Sequence, residues 1–208
     1  MTSPKDNLAR RAARLYRDGV ASTISDAISQ ARRLPEVGPG PSPSVEEVRR
    51  HLEALDMASE GLADWQQGQR ERLEEVEQFL ALLEHLLDPL EVRVAGLAAR
   101  GRIMDGDRVH LRTWTGGDLR ALAETLEDAG VGVPEVSSLA VRPGVAGGLP
   151  RLGTLLFVGD RVDIVLTVCP TREVALATRN LVTGGDVHLA SPRQFRAVLD
   201  SLESGHAD

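Results

Sequence analysis

The sequence predicts an α+β chain: a helical N-terminal region, then a small mixed β-sheet with flanking helices. Three observations carry that expectation. Apolar residues recur at helical spacing through residues 7–87, Pro89 ends that regime, and β-rich runs begin at residue 91. The organisation read from this is a helical region at 1–90 with a connector at 35–43, an α+β domain at 91–202 and a frayed tail at 203–208.

The elements follow in order. Leu8, Ala12, Leu15 and Tyr16 share one face of a first helix, which Gly19 interrupts. A second helix, about 22–34, carries Ile24, Ala27, Ile28 and Ala31 on one side. Residues 35–43 hold four prolines and two glycines, which excludes regular structure there. Ser44-Val-Glu-Glu47 is a capping-box pattern, with a serine to accept from the first free N–H groups and a glutamate to reach back. A helix to about Met57 follows. The next helix, about 61–87, has Leu73, Val76, Leu80, Leu83 and Leu87 at a/d spacing, widened by Phe79, Leu82 and Leu86. That stripe suits either an internal core or pairing with a second copy, so a homo-oligomer through 61–87 stands as one expectation.

Runs 91–98, 107–114, 153–159 and 161–168 are rich in Val, Ile, Leu and Thr, and in the last of them Val162, Ile164, Leu166 and Val168 alternate with Asp163, Val165 and Thr167. Gly159-Asp160 reads as the turn of a hairpin. A helix at 117–129 ends on Gly130, segment 141–152 reads as a mobile loop, and Ser191-Pro192 opens a last helix with Phe195, Val198 and Leu199 facing inward.

Composition narrows function. Hydrophobic residues make up 42%, enough for a real core, but aromatics only 3%, which leaves little for stacking exposed bases. A net charge of −7 repels phosphate backbones overall, so nucleic acid is not the expected partner. Cys169 is the single cysteine, which rules out an internal disulfide and fits a cytoplasmic location. The N-terminus reads as arginine-rich helix without a secretory h-region, and no apolar run reaches the roughly 18 residues that a membrane span needs. Paired Cys/His zinc spacing, a Walker lysine and GxGxxG are absent from the sequence. The arginines at 10, 11, 14 and 17 read as a solvated face, with an anionic partner as the alternative.

The chemistry-bearing stretch is Val94-Ala95-Gly96, Gly101, then Asp105-Gly-Asp-Arg-Val-His-Leu-Arg112. With the helix ending at Gly130-Val131 and the strand Val162–Val168, it resembles the nucleotidyltransferase superfamily, and more closely short bacterial nucleotidyltransferase-like proteins with a helical N-terminal region. The resemblance covers most of the chain. It implies a glycine corner where phosphate approaches the backbone, matched by Gly96 and Gly101. It also implies carboxylates at i and i+2 of the next strand, on one face, to hold Mg²⁺. In this chain those positions are Arg108 and His110, the threonine position is Arg102, and Asp163 falls on a third acidic position.

The implied site is therefore degenerate: Gly96, Gly101, Arg102, Arg108 and His110 as phosphate or ligand contacts, in a protein of nucleotide binding or regulation. An active Mg²⁺-dependent transferase would use Asp107 and Asp163 as catalytic residues, with Asp105, Asp107 and Asp163 on the metal and a nucleotide as substrate. A non-enzymatic interaction protein working through its leucine-striped helix is the third expectation. Asp105-Gly106-Asp107 also reads simply as a solvated turn, and Cys169 as a buried structural thiol.

Overall fold

A computed structural model of the chain describes residues 3–34, 41–86, 91–104, 106–114, 118–146 and 148–204. Residues 35–40 of the expected connector, Leu87, Pro89, Asp105, Gly147 and the tail beyond 204 lie outside the described residues. The chain divides into two compact units, Met1–Gln67 and Gly68–Asp208.

The first unit holds α1 (Pro4–Arg17), α2 (Ile24–Arg32) and α3 (Val45–Glu60). Each begins on a hydroxyl cap: Ser3, Thr23 and Ser44 accept from the backbone N–H three residues on. The Ser44 capping box is complete, because Glu47 Oε2 accepts from Ser44 N at 2.7 Å. Glu47 also pairs with Lys5 at 2.7 Å. The hydrogen bond from Lys5, then that from the Ser44 N–H, hold its carboxyl at about 2. The core is small: Leu8, Ala9, Ala12, Ala13, Ala27, Ala31, Val48 and Leu52 are buried. His51 is half-buried, with Nε2 2.9 Å from Asp6 Oδ1. Asp6 also meets Arg10 at 3.6 Å, and Arg17 donates to the Leu55 carbonyl, so two of the helix-face arginines have partners inside the unit.

Helix α4 (Leu62–Leu86) follows Gly61, and the division of the chain falls within it rather than near residue 90. The reason is the stripe. Leu73, Val76, Leu80 and Leu83 are fully buried, in the same cluster as the strands of the second unit. Pairing with a second copy through this helix would need those same side chains.

The second unit continues with β1 (Glu91–Ala95), a 3-10 turn at Ala98–Arg100, β2 (Arg108–Trp114), α5 (Leu119–Asp128), β3 (Glu135–Ala140), β4 (Arg151–Phe157), β5 (Asp163–Cys169), α6 (Arg172–Leu176), β6 (Leu189–Ala190) and α7 (Pro192–Ser204). Among the described residues the sheet has six strands in the order β3-β4-β5-β2-β1-β6. Only β2 and β5 run parallel. The fold is α+β, as the sequence predicts. One face of the sheet is the core: Val92, Val94, Val109, Leu111, Leu155, Phe157, Ile164 and Leu166 bury with the α4 stripe, with Leu122 and Leu126 of α5 and with Phe195 of α7. Phe79 and Phe157 meet with ring centroids 4.9 Å apart.

Three boundaries differ from expectation. The 91–98 run stops at Ala95, where the chain turns through Gly96. Strand β3 has no counterpart in the sequence reading because it is an edge strand, exposed along most of its length and without alternation. The expected loop 141–152 gives its last two residues to β4, and its Val141 and Ala146 are buried. The expected hairpin at Gly159-Asp160 exists as a five-residue connection, 158–162, between antiparallel β4 and β5. Glu75 of α4 holds it, accepting from Asp160 N at 2.9 Å and Arg161 N at 2.8 Å. A Cβ at Gly159 would collide with that carboxylate and with the Val162 carbonyl.

Candidate functional site

The other face of the sheet carries the polar residues. A strand sends alternate side chains to opposite faces, so Val109 and Leu111 enter the core while Arg108, His110 and Arg112 turn away from it. The parallel register sets Arg108 beside Asp163, His110 beside Val165 and Arg112 beside Thr167. The antiparallel register sets Ala95 beside His110. Arg108 and His110 are exposed, and Arg108 Nε lies 3.4 Å from Asp163 Oδ2. The two positions that the resemblance assigns to a carboxylate pair carry an arginine and a histidine, and the arginine meets the carboxylate of Asp163.

The other sequence candidates separate. Asp107 closes a turn just before β2: its N–H donates to the Met104 carbonyl at 3.1 Å, and its Oδ2 accepts from Met104 N at 3.4 Å. Asp105 is outside the described residues. No three His, Cys, Asp or Glu side chains are grouped to hold a metal ion among the described residues. Gly101 has φ +74, and a Cβ there would lie 2.7 Å from Val198 Cγ1 of α7, so its place in the fold is a close helix contact. Arg102 is half-buried, with its N–H donated to the Leu97 carbonyl at 3.2 Å. Neither Gly101 nor Arg102 lines the cleft described next; Gly96 and His110 both do.

A cleft of about 230 Å³ opens between this face and the segment 180–187, lined by Gly96, His110, Arg112, Thr167, Leu181 and Val187 among others. The segment is built by its own polar groups. Asn180 Oδ1 accepts from Val182 N and Thr183 N, both at 2.9 Å, and Gly184 N donates back to the Asn180 carbonyl. Arg142 donates to the Thr183 carbonyl at 2.6 Å, and Gly96 N donates to the His188 carbonyl at 2.9 Å.

Arg112 forms the floor. It is only 4% exposed, and its Nη1 and Nη2 donate to the carbonyls of Ala177 (2.8 Å) and Arg179 (2.9 Å). Burial pulls its guanidinium below the usual value, and the neighbouring Cys169 acts weakly the other way. Burial in turn pushes the Cys169 thiol up to about 11, against the pull of Arg112. Cys169 is therefore a neutral thiol at pH 7, inert as a nucleophile. Sequence reasoning missed Arg112. The signal was present in the strand's parity, since an arginine two residues after His110 falls on the same face.

No family model, no curated protein and no solved structure matches the chain.

Proposed function

We propose that this is a nucleotidyltransferase-like protein with a degenerate catalytic position, acting in the binding of a nucleotide or other phosphate ligand, or in regulation through it. The observation that carries the reading is the register of Arg108 with Asp163, with His110 next on the same exposed face. An arginine fork suits phosphate oxygens, whereas Mg²⁺ takes oxygen ligands and keeps its waters. Placed where carboxylates would bind the metal, Arg108 does without an ion what the ion would do: it brings positive charge to the phosphate. The cleft beside it is smaller than the roughly 300 Å³ at which ordinary ligand pockets begin. A whole nucleotide would therefore lie partly across the open polar row. The reading includes a cytoplasmic location, supported by the single cysteine.

The test is thermal denaturation of the full chain with ATP and with GTP, each with and without Mg²⁺. The expected result is a rise of about 3 °C at saturating nucleotide, independent of Mg²⁺ and abolished by Arg108→Ala. A rise that requires Mg²⁺ and vanishes in Asp107→Ala and in Asp163→Ala would instead favour the active transferase. Indifference to both nucleotides would remove the transferase and the nucleotide-binding reading alike.

A further inference from the structure

We infer that the cleft beneath 180–187 is a site for a small organic anion, an oxyanion head on a short apolar body, whose charge Arg112 neutralises. The inference deepens the binding reading above and rests on it for the idea that this face takes a ligand. It is carried by Arg112, a residue that reading does not use.

The argument is one of charge. A buried ionised group is costly unless it is both hydrogen-bonded and neutralised. Two carbonyls satisfy part of the Arg112 fork, which has five N–H donors, but carbonyls bring no net charge. Among the described residues no carboxylate lies within ion-pair distance of Arg112, although other arginines of the unit do find theirs: Arg196 meets Glu77 and Glu84, and Arg161 meets Glu71. The ionisable neighbour whose field Arg112 feels is Cys169, which stays neutral. Among the described residues, the positive charge is thus held under a cleft with no carboxylate against it. A structural clamp for residues 177–179 would not need a cation, since an amide side chain could donate to the same carbonyls at lower desolvation cost. The lining indicates what accompanies the anion. Arg112, His110 and Thr167 supply polar contact on the sheet side, whereas Leu139, Leu181 and Val187 offer apolar surface, so a bare hydrated ion leaves most of the lining unused.

The experiment titrates the native full-length chain with inorganic phosphate and, separately, with butyrate, at constant ionic strength made up with chloride. Binding is read by calorimetry and by amide chemical shifts. Saturable binding of either anion is expected, with shift changes at His110 and 180–187, and a loss of at least about tenfold in affinity in Arg112→Met. Phosphate against butyrate separates a phosphate ester from a carboxylate as the natural head group. Absence of saturable binding by the native chain overturns the inference, as does affinity unchanged in Arg112→Met. Should Arg112→Met fail to fold, Val187→Phe fills the cleft from its apolar side without touching the cation, and unchanged affinity there is equally fatal. The two readings fail separately. A nucleotide response lost in Arg108→Ala, in a chain that binds neither phosphate nor butyrate saturably, sinks this site and leaves the proposed function standing. Anion binding lost in Arg112→Met, in a chain indifferent to nucleotides, does the reverse.

Discussion

The two faces of the sheet are made by the same strands and serve opposite ends. The core face is predominantly apolar: Val109 and Leu111 of β2, Ile164 and Leu166 of β5, sealed by the α4 stripe and by Phe195, with the buried Thr113 following on the same side of β2. The opposite face takes the intervening residues of those strands, and there the same register brings together Arg108, Asp163, His110, Arg112 and Thr167. A smaller apolar cluster, with Val141, Ala146, Leu152, Cys169 and Val174, covers only part of it. The core face supplies stability by excluding water. The other face keeps charges at its surface and one charge beneath it, which makes sense where a ligand has to arrive.

That contrast can be broken most sharply on the core side. Leu80→Ala is expected to destabilise the second unit by about 2–5 kcal/mol, measured by urea denaturation, because a fully buried side chain leaves a cavity between helix and sheet. A cost below about 1 kcal/mol would mean that the α4 stripe is not part of this core. Gly101→Ala comes next, at about 1–3 kcal/mol, since the positive φ strains any side chain and the new Cβ would press on Val198. An unchanged nucleotide response in that variant would separate packing at Gly101 from phosphate contact. The smallest effect belongs to the cleft face. A thiol whose folded value lies above its unfolded value near 9 stabilises the fold below that pH. The contribution is lost as pH rises from about 9 to about 11, where the unfolded chain ionises and the folded one does not. Stability measured across that window should fall on the order of 1 kcal/mol more steeply in the native chain than in Cys169→Ala. Parallel curves would show that the thiol is not buried beside Arg112.

Much of the fold was legible because it is written in local chemistry. The Ser44–Glu47 box, the α4 stripe and the alternation of β5 each depend on residues within a few positions of one another. The edge strand β3 was not legible: it buries only Leu139 in part, so its sequence bears no core imprint. The candidate site divided the same way. Arg108 and His110 could be assigned to one face from spacing alone. The turn role of Asp107 was legible too, because its partner is Met104, three residues away. The packing role of Gly101 and the importance of Arg112 could not be read, because each is defined by a partner from elsewhere in the chain or by burial.

The sequence by itself determined the α+β character, the order of helices and most strands, and the parity that splits β2 into an apolar and a polar side. Those properties follow from periodicities of 3.6 and 2, which neighbouring residues encode. Only the tertiary structure decided that β2 and β5 lie side by side, so that Arg108 meets Asp163, and that residues 177–187 fold back over Arg112. Pairings across 55 or more residues leave no mark in local spacing. They are chosen by which arrangement buries the apolar face of the whole sheet, and the cleft is what that arrangement leaves on the other side.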